Sequence, residues 1–268
     1  MLRLFRRDTP PSSPAHDRLD VAHEGRTYSV SLKRVTGARR FTLRVRAATR
    51  DVVLTMPSRG SMSAARDFAQ RYAAWIAARL HRLPQPIPFR NGSIIPIRGD
   101  DHLIVHTEAT RGGIEVNAIK VGDSMSRMLQ VSCGEDYVPR RVGDYLKREA
   151  KHDLEAAVRH HTKQLGFAAR RVTVRDTTSR WGSCSASGSL NFSWRLVMAP
   201  AFVLDYLAAH EVAHLVHMNH SDKFWELTRQ LAPSTDRAET WLKAHGTALH
   251  RFGAEPTESL SASRTKVR

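Results

Sequence analysis

Cysteine is nearly absent from this 268-residue chain: only Cys133 and Cys184 occur, far apart and without C-x-x-C spacing. That excludes a disulfide scaffold and a cysteine-built zinc site, and it fits a reducing cytoplasm. No apolar run approaches the roughly 20 residues needed to cross a bilayer, so no membrane partner is expected. The basic residues 1–8 have no hydrophobic segment behind them, so they do not read as a secretion signal. Acids are scarce: 26 Asp and Glu against 42 Lys and Arg give a formal charge of +16. Residues 1–50 hold twelve of those bases and four of the acids. Such an excess attracts polyanions, so non-specific nucleic acid on the basic surface is one partner reading. Against it, arginine supplies 34 of the 42 bases, as a GC-rich genome would also produce. No aromatic-interleaved basic motif accompanies the charge.

What is present is concentrated in eleven residues, from His210 to His220. They contain H-E-x-x-H. On a helix, His210 and His214 are one turn apart and share a face, so two imidazole nitrogens can hold one Zn2+. Glu211 stands beside the first histidine, where it can reach a metal-bound water rather than the metal. A catalytic zinc needs three protein ligands and an open position. His220 is the natural third. His217 continues the same helical stripe, but it would sit about 10.5 Å along the axis from His210, too far for one ion. His220 can serve only if the helix stops soon after His214 and the chain turns back; Asn219, Ser221 and Asp222 favour that break. His161 and His245 are remote and weaker candidates.

A wider set of residues carries a family resemblance. Arg180-Trp-Gly-Ser-Cys184, Leu190-Asn-Phe192, Tyr206, His210-Glu211-Val-Ala-His214, Asn219-His220 and Phe224-Trp225 together resemble the YgjP-like zinc metallopeptidases, relatives of the SprT-like and WLM-type zinc proteases. The match is close over about residues 176–233 and looser upstream, through 28–83 and 91–99. The resemblance implies a zincin-like helical catalytic core with a small sheet. It also implies a zinc-dependent peptidase, with His210, His214 and His220 as ligands and Glu211 as base.

Periodicity supplies the rest of the layout. Residues 1–25, rich in Pro, Ser and Arg, read as a disordered basic tail, and 251–268 as a disordered tail. Between them, 26–250 reads as one metallopeptidase domain of α+β class. Its β-rich part is 26–133 and its zinc-binding catalytic part 134–250. Tyr28, Val30 and Leu32, then Phe41, Leu43 and Val45, then 52–54, alternate as a small antiparallel sheet. A helix is predicted over 63–83, with Phe68, Tyr72, Trp75, Ile76 and Leu80 along its apolar side. Short strands follow near 94–97, 102–106 and 114–116. A long helix spans 138–165, with His160 and His161 solvated near its end. Trp181 to Val197 reads as two strands joined at Ser187-Gly188, followed by the motif helix and helices over 224–231 and 239–249.

The chemistry this implies is amide hydrolysis of a peptide or protein substrate, with Glu211 as general base. Tyr206, Arg180 and Asn219 are candidate oxyanion donors, Tyr206 equally a packed core residue. Asp222 or Glu226 could orient a ligand histidine. Cys184 reads as a small buried residue. Two rival readings stay open: a catalytically silent, zinc-stabilised nucleic-acid-binding module, and a zinc hydrolase of a non-peptide amide.

Overall fold

The computed structural model describes residues 18–109, 112–121 and 124–254. Three small sheets and helices make an α+β protein, divided between Leu83 and Pro84 into two units. Among the described residues no helix is long and apolar enough to cross a membrane.

The first unit is a mixed sheet under two helices. Its strands are β1 (Arg18–His23), β2 (Arg26–Val35), β3 (Thr42–Val45) and β4 (Val52–Pro57), in the order β1-β2-β4-β3. β1 and β2 join at Glu24-Gly25, both at positive φ (47° and 71°), as a tight hairpin requires. Alternation puts Leu19 and Val21, Val30 and Leu32, and Val52, Leu54 and Met56 inside. The helices α1 (Met62–Arg71) and α2 (Ala73–His81) cover that face with Ala65, Ala69, Ala73 and Ile76.

Four expectations change here. β1 occupies part of the supposed tail: Leu19 and Val21 are a two-tooth alternation hidden beside a Pro/Ser-rich stretch, and only 1–17 lie outside the described residues. β2 and β4 run parallel, Val30 opposite Val52, so the sheet is not purely antiparallel. The single expected helix is broken at Tyr72. Its buried face is built from alanines, leaving Tyr72 and Trp75 exposed.

The second unit begins at Pro84. Strands β5 (Ile94–Ile97), β6 (Asp100–Thr107), β7 (Ile114–Val121) and β8 (Ser124–Ser132) form a sheet of order β5-β6-β8-β7. β8 was invisible in the sequence because Ser, Arg and Gln interrupt its apolar residues. The long helix α3 (Val138–Leu165) packs Val142, Leu146, Ala150, Leu154 and Val158 into the core. Strands β9 (Arg171–Arg175), β10 (Gly182–Cys184) and β11 (Ser189–Ser193) form a sheet with β10 at one edge. A 3-10 turn at Trp194–Met198 replaces the expected continuation of that hairpin. Helices α4 (Ala201–Ala213), α5 (Asp222–Leu231) and α6 (Thr235–Leu249) complete the unit.

One apolar core runs from Phe89 and Ile95 through Leu129 and Val131 to α3, α4 and α6. Strands β5 to β8 therefore share a core with the motif helix, and the chain divides at 83/84 rather than at the expected 133/134. The signal missed was Pro84 and Pro86, which end the first unit. The supposed second tail also starts late. Ile87 accepts from the Gly253 amide and donates to the Arg251 carbonyl, both at 2.8 Å, and only 255–268 lie outside the described residues.

Candidate metal centre

The helix α4 is buried nearly all round, from Val203 to Ala213, as a central core helix must be. Pro200 stands at its N-cap, where a missing N–H costs nothing. At the other end the helical pattern stops at Ala213. His214 is the C-cap, and the amides of Val216 and His217 both turn back to the Ala213 carbonyl. This early stop brings the chain round, so that His220 returns over the last turn. The donor atoms of His210, His214 and His220 lie within 4.8 Å of one another. His210 Nε2 and His220 Nε2 face each other at 3.2 Å.

His217 takes part through its backbone rather than its ring: His214 Nδ1 donates to its carbonyl at 3.0 Å. A carbonyl only accepts, so His214 is held as the Nδ1–H tautomer with Nε2 carrying the lone pair. Burial is the first reason that both His210 and His214 resist protonation. His210 is lowered to about 4, with the neighbouring His214 and His220 adding to the effect. At neutral pH both rings therefore offer a lone pair. Fully buried Phe224 is the floor of the cluster, its ring centroid 4.9, 4.5 and 4.7 Å from those of His210, His214 and His220.

Glu211 is buried beside this cluster. Its Oε2 has no hydrogen-bond partner among the protein groups. Burial pushes its carboxyl up to about 7, against the opposing charge of Arg180. The Arg180–Cys184 stretch packs directly on it. A Cβ at Gly182 would lie 2.8 Å from Glu211 Cγ and Cδ, and closer still to Oε1, so only glycine lets β10 come this near. Trp181 anchors the same stretch at the C-terminal end of α6, its ring centroid 5.2 Å from that of the C-cap His250. Cys184 is a free, half-buried thiol whose pKa is raised by burial and by the charge of Glu211, which makes it a poor nucleophile.

Other sequence candidates lie elsewhere. His161 is buried, not solvated, and its Nε2 pairs with Asp205 at 2.8 Å. His245 stacks on Trp241. Asn219 is exposed next to the cluster. Tyr206 is buried, and its hydroxyl meets His210 Nδ1 at 3.3 Å and Glu239 at 3.2 Å. The partners of His210 and His214 are thus Tyr206 and the His217 carbonyl, and among the described hydrogen bonds neither Asp222 nor Glu226 meets a ligand histidine. Glu239 carried no signal in the sequence, because only tertiary packing brings α6 to α4.

The model of the YgjP-like metallopeptidase domain matches residues 39–245, well over half of the chain. The chain belongs to the YgjP-like metallopeptidase family. Its activity class is therefore that of a metal-dependent peptide hydrolase. No curated protein matches this YgjP-like chain significantly. Among solved structures, the metallopeptidase zymogen of Pyrococcus abyssi abylysin is 23% identical over 38% of this chain and 99% of its own. Its TM-score of 0.32 is too low to carry an argument about fold.

Three imidazoles converging at metal-binding distance, two of them forced into the ligating tautomer or neutralised by burial, fit a divalent transition metal. The orphaned carboxylate oxygen of Glu211 fits a base awaiting a proton donor.

Proposed function

We propose that this metallopeptidase is a zinc enzyme, with Zn2+ on His210, His214 and His220 and Glu211 as general base. The observation that carries the reading is the three-histidine cluster with a buried, unpartnered carboxylate oxygen beside it. Bound there, Zn2+ would polarise the scissile carbonyl and acidify a water so that it attacks near neutral pH. Glu211 accepts the water's proton and returns it to the leaving amine. A buried carboxylate oxygen with no protein partner is suited to both steps. Gly182 keeps β10 against Glu211 and limits its rotamers. Arg180, whose charge reaches Glu211, is assigned to the developing oxyanion. Tyr206 is not assigned that role, because its hydroxyl is engaged with His210 and Glu239. A cytoplasmic setting is supported by the two free cysteines.

Incubation of the zinc-loaded protein with a proteome-derived peptide pool tests the assignment. Peptide bonds should be cleaved, cleavage should cease with a chelator, and Zn2+ should restore it. Cleavage that survives complete metal removal would overturn it, and turnover of small amides alone would move the reading to a non-peptide substrate.

A second reading concerns the first unit. Residues 18–83 hold fourteen Arg and Lys against four acids. Exposed Trp75 on α2 lines a shallow cleft with Arg44, Arg79 and Arg82. An aromatic face flanked by guanidinium groups suits single-stranded nucleic acid, which stacks bases and places phosphates on cations. Glu211 opposes the silent-module version of this reading, since a purely structural zinc site needs no base.

A further inference from the structure

The hydrogen bonds behind His210 have a direction that the chemistry of their atoms determines. A carboxylate accepts and cannot donate, so the single proton of the Tyr206 hydroxyl goes to Glu239 Oε1, 3.2 Å away. The hydroxyl oxygen then offers only lone pairs to His210 Nδ1 at 3.3 Å. His210 must be the donor in that contact and carries its proton on Nδ1. Its Nε2 is left bare, on the side where it faces His220. Tyr206 sits one turn before His210 on α4, whereas Glu239 comes from α6, so the arrangement links the two helices.

We propose that Glu239, acting through the Tyr206 hydroxyl, is a positioning residue of the metal centre: it fixes His210 as the Nδ1–H tautomer with Nε2 free for the metal. The inference rests on His210 being a ligand. It adds a residue from a different helix, 29 positions from the motif, to the groups that determine metal affinity. Without Glu239, the Tyr206 hydroxyl is free to donate to Nδ1 instead. That would favour the Nε2–H tautomer, whose proton must move to Nδ1 before Nε2 can bind a metal. Outer partners of ligating histidines commonly change metal affinity by about 10- to 100-fold. Glu239 is partly exposed and its other oxygen only meets Lys243 at 3.6 Å, so its truncation removes little packing.

The test uses the full-length protein, with Zn2+ affinity measured by competition with a chromophoric chelator. The tautomer of His210 is read from the ring nitrogen shifts of the metal-free protein by NMR. The parent should show the Nδ1–H form. Glu239→Ala should populate Nε2–H and weaken Zn2+ binding about 10- to 100-fold, with the melting temperature of the metal-free protein nearly unchanged. Glu239→Gln, which keeps an acceptor oxygen, should recover much of the affinity. Tyr206→Phe should weaken binding over a similar range. If Glu239→Ala and Tyr206→Phe both leave affinity within about twofold and the tautomer unchanged, the positioning role is wrong. If His210→Ala itself leaves affinity unchanged, the ligand assignment falls first and takes this inference with it.

Discussion

Among the described residues, 18–83 bury no polar or charged side chain, whereas 84–254 bury ten, including Glu211, His214, Arg195 and His250. Charge divides in the same way. The first unit has fourteen Arg and Lys to four acids, while residues 84–254 have 22 to 18. Nearly all described ion pairs belong to the second unit, such as the clamp of Arg98 on Glu149 and Asp153 of α3. Arg195 is sunk among Asp176 and the Leu249 and Phe252 carbonyls. The first unit is thus built on an apolar core, and its polar ties are side chains reaching backbone carbonyls, such as Arg34 to Ser58 and Gly60 and Arg50 to Leu80 and Leu83. The second retains buried polar groups that each cost about 1–3 kcal/mol when unpaired. Such groups persist where chemistry requires them, and the proposed metal centre lies in the unit that buries them.

The largest expected consequence is at Glu211. Glu211→Gln keeps the volume and removes the proposed base, so peptide hydrolysis should fall by at least roughly 10²-fold. Metal content and melting temperature should change little. Wild-type turnover in that variant would break the link between polar burial and chemistry.

Next comes Gly182→Ala. The new methyl would press on Glu211 at 2.8 Å or less, and a small misplacement of a reacting group costs up to about 10²-fold in rate. Rate should therefore drop by more than the stability change explains, with metal affinity retained. A variant that loses stability but keeps its full rate per folded molecule would show that the contact serves packing only.

Polar burial should also appear in the pH dependence of stability. Burial, aided by Arg195, lowers His250 to about 4. Its folded pKa is below the unfolded value of about 6.5. The unfolded chain therefore binds the proton first, and stability is lost as pH falls from about 6.5 to 4. The loss is of order 3 kcal/mol at most. His250→Phe should flatten that slope when parent and variant are compared in chelator, where metal release does not contribute. Identical slopes would remove His250 from the account.

The smallest effects belong to the first unit. Replacing Arg44, Arg79 and Arg82 together by Gln should leave stability within about 0.5 kcal/mol per site, because exposed charges contribute little. The same variant should bind single-stranded DNA more weakly and with a shallower salt dependence, by fluorescence anisotropy. A steep loss of stability would contradict the comparison. Unchanged DNA binding would place any affinity elsewhere on the basic surface.

Local signals in the sequence were reliable where the physics is local. The H-E-x-x-H spacing, the need for a break after His214 and the span of α3 can all be read from neighbouring residues. The exposure of Trp75, the burial of His161 and the parallel pairing of β2 with β4 cannot, because each depends on what another segment places opposite. Glu239 is the sharpest case: a surface-type residue in an amphipathic helix becomes part of the site only when α6 docks on α4. Tyr206, four residues before His210, was legible as a neighbour of the histidine but not as the link to a carboxylate.

The most direct test of the central claim is an anomalous difference map at the zinc edge, from crystals of the zinc-loaded protein. The account predicts one strong peak per chain, bonded to His210, His214 and His220 at about 2.0–2.1 Å, with Glu211 close by but not bonded. A peak ligated by Glu211, His217 or His245 in place of one of these histidines, or no peak at the cluster, would contradict it.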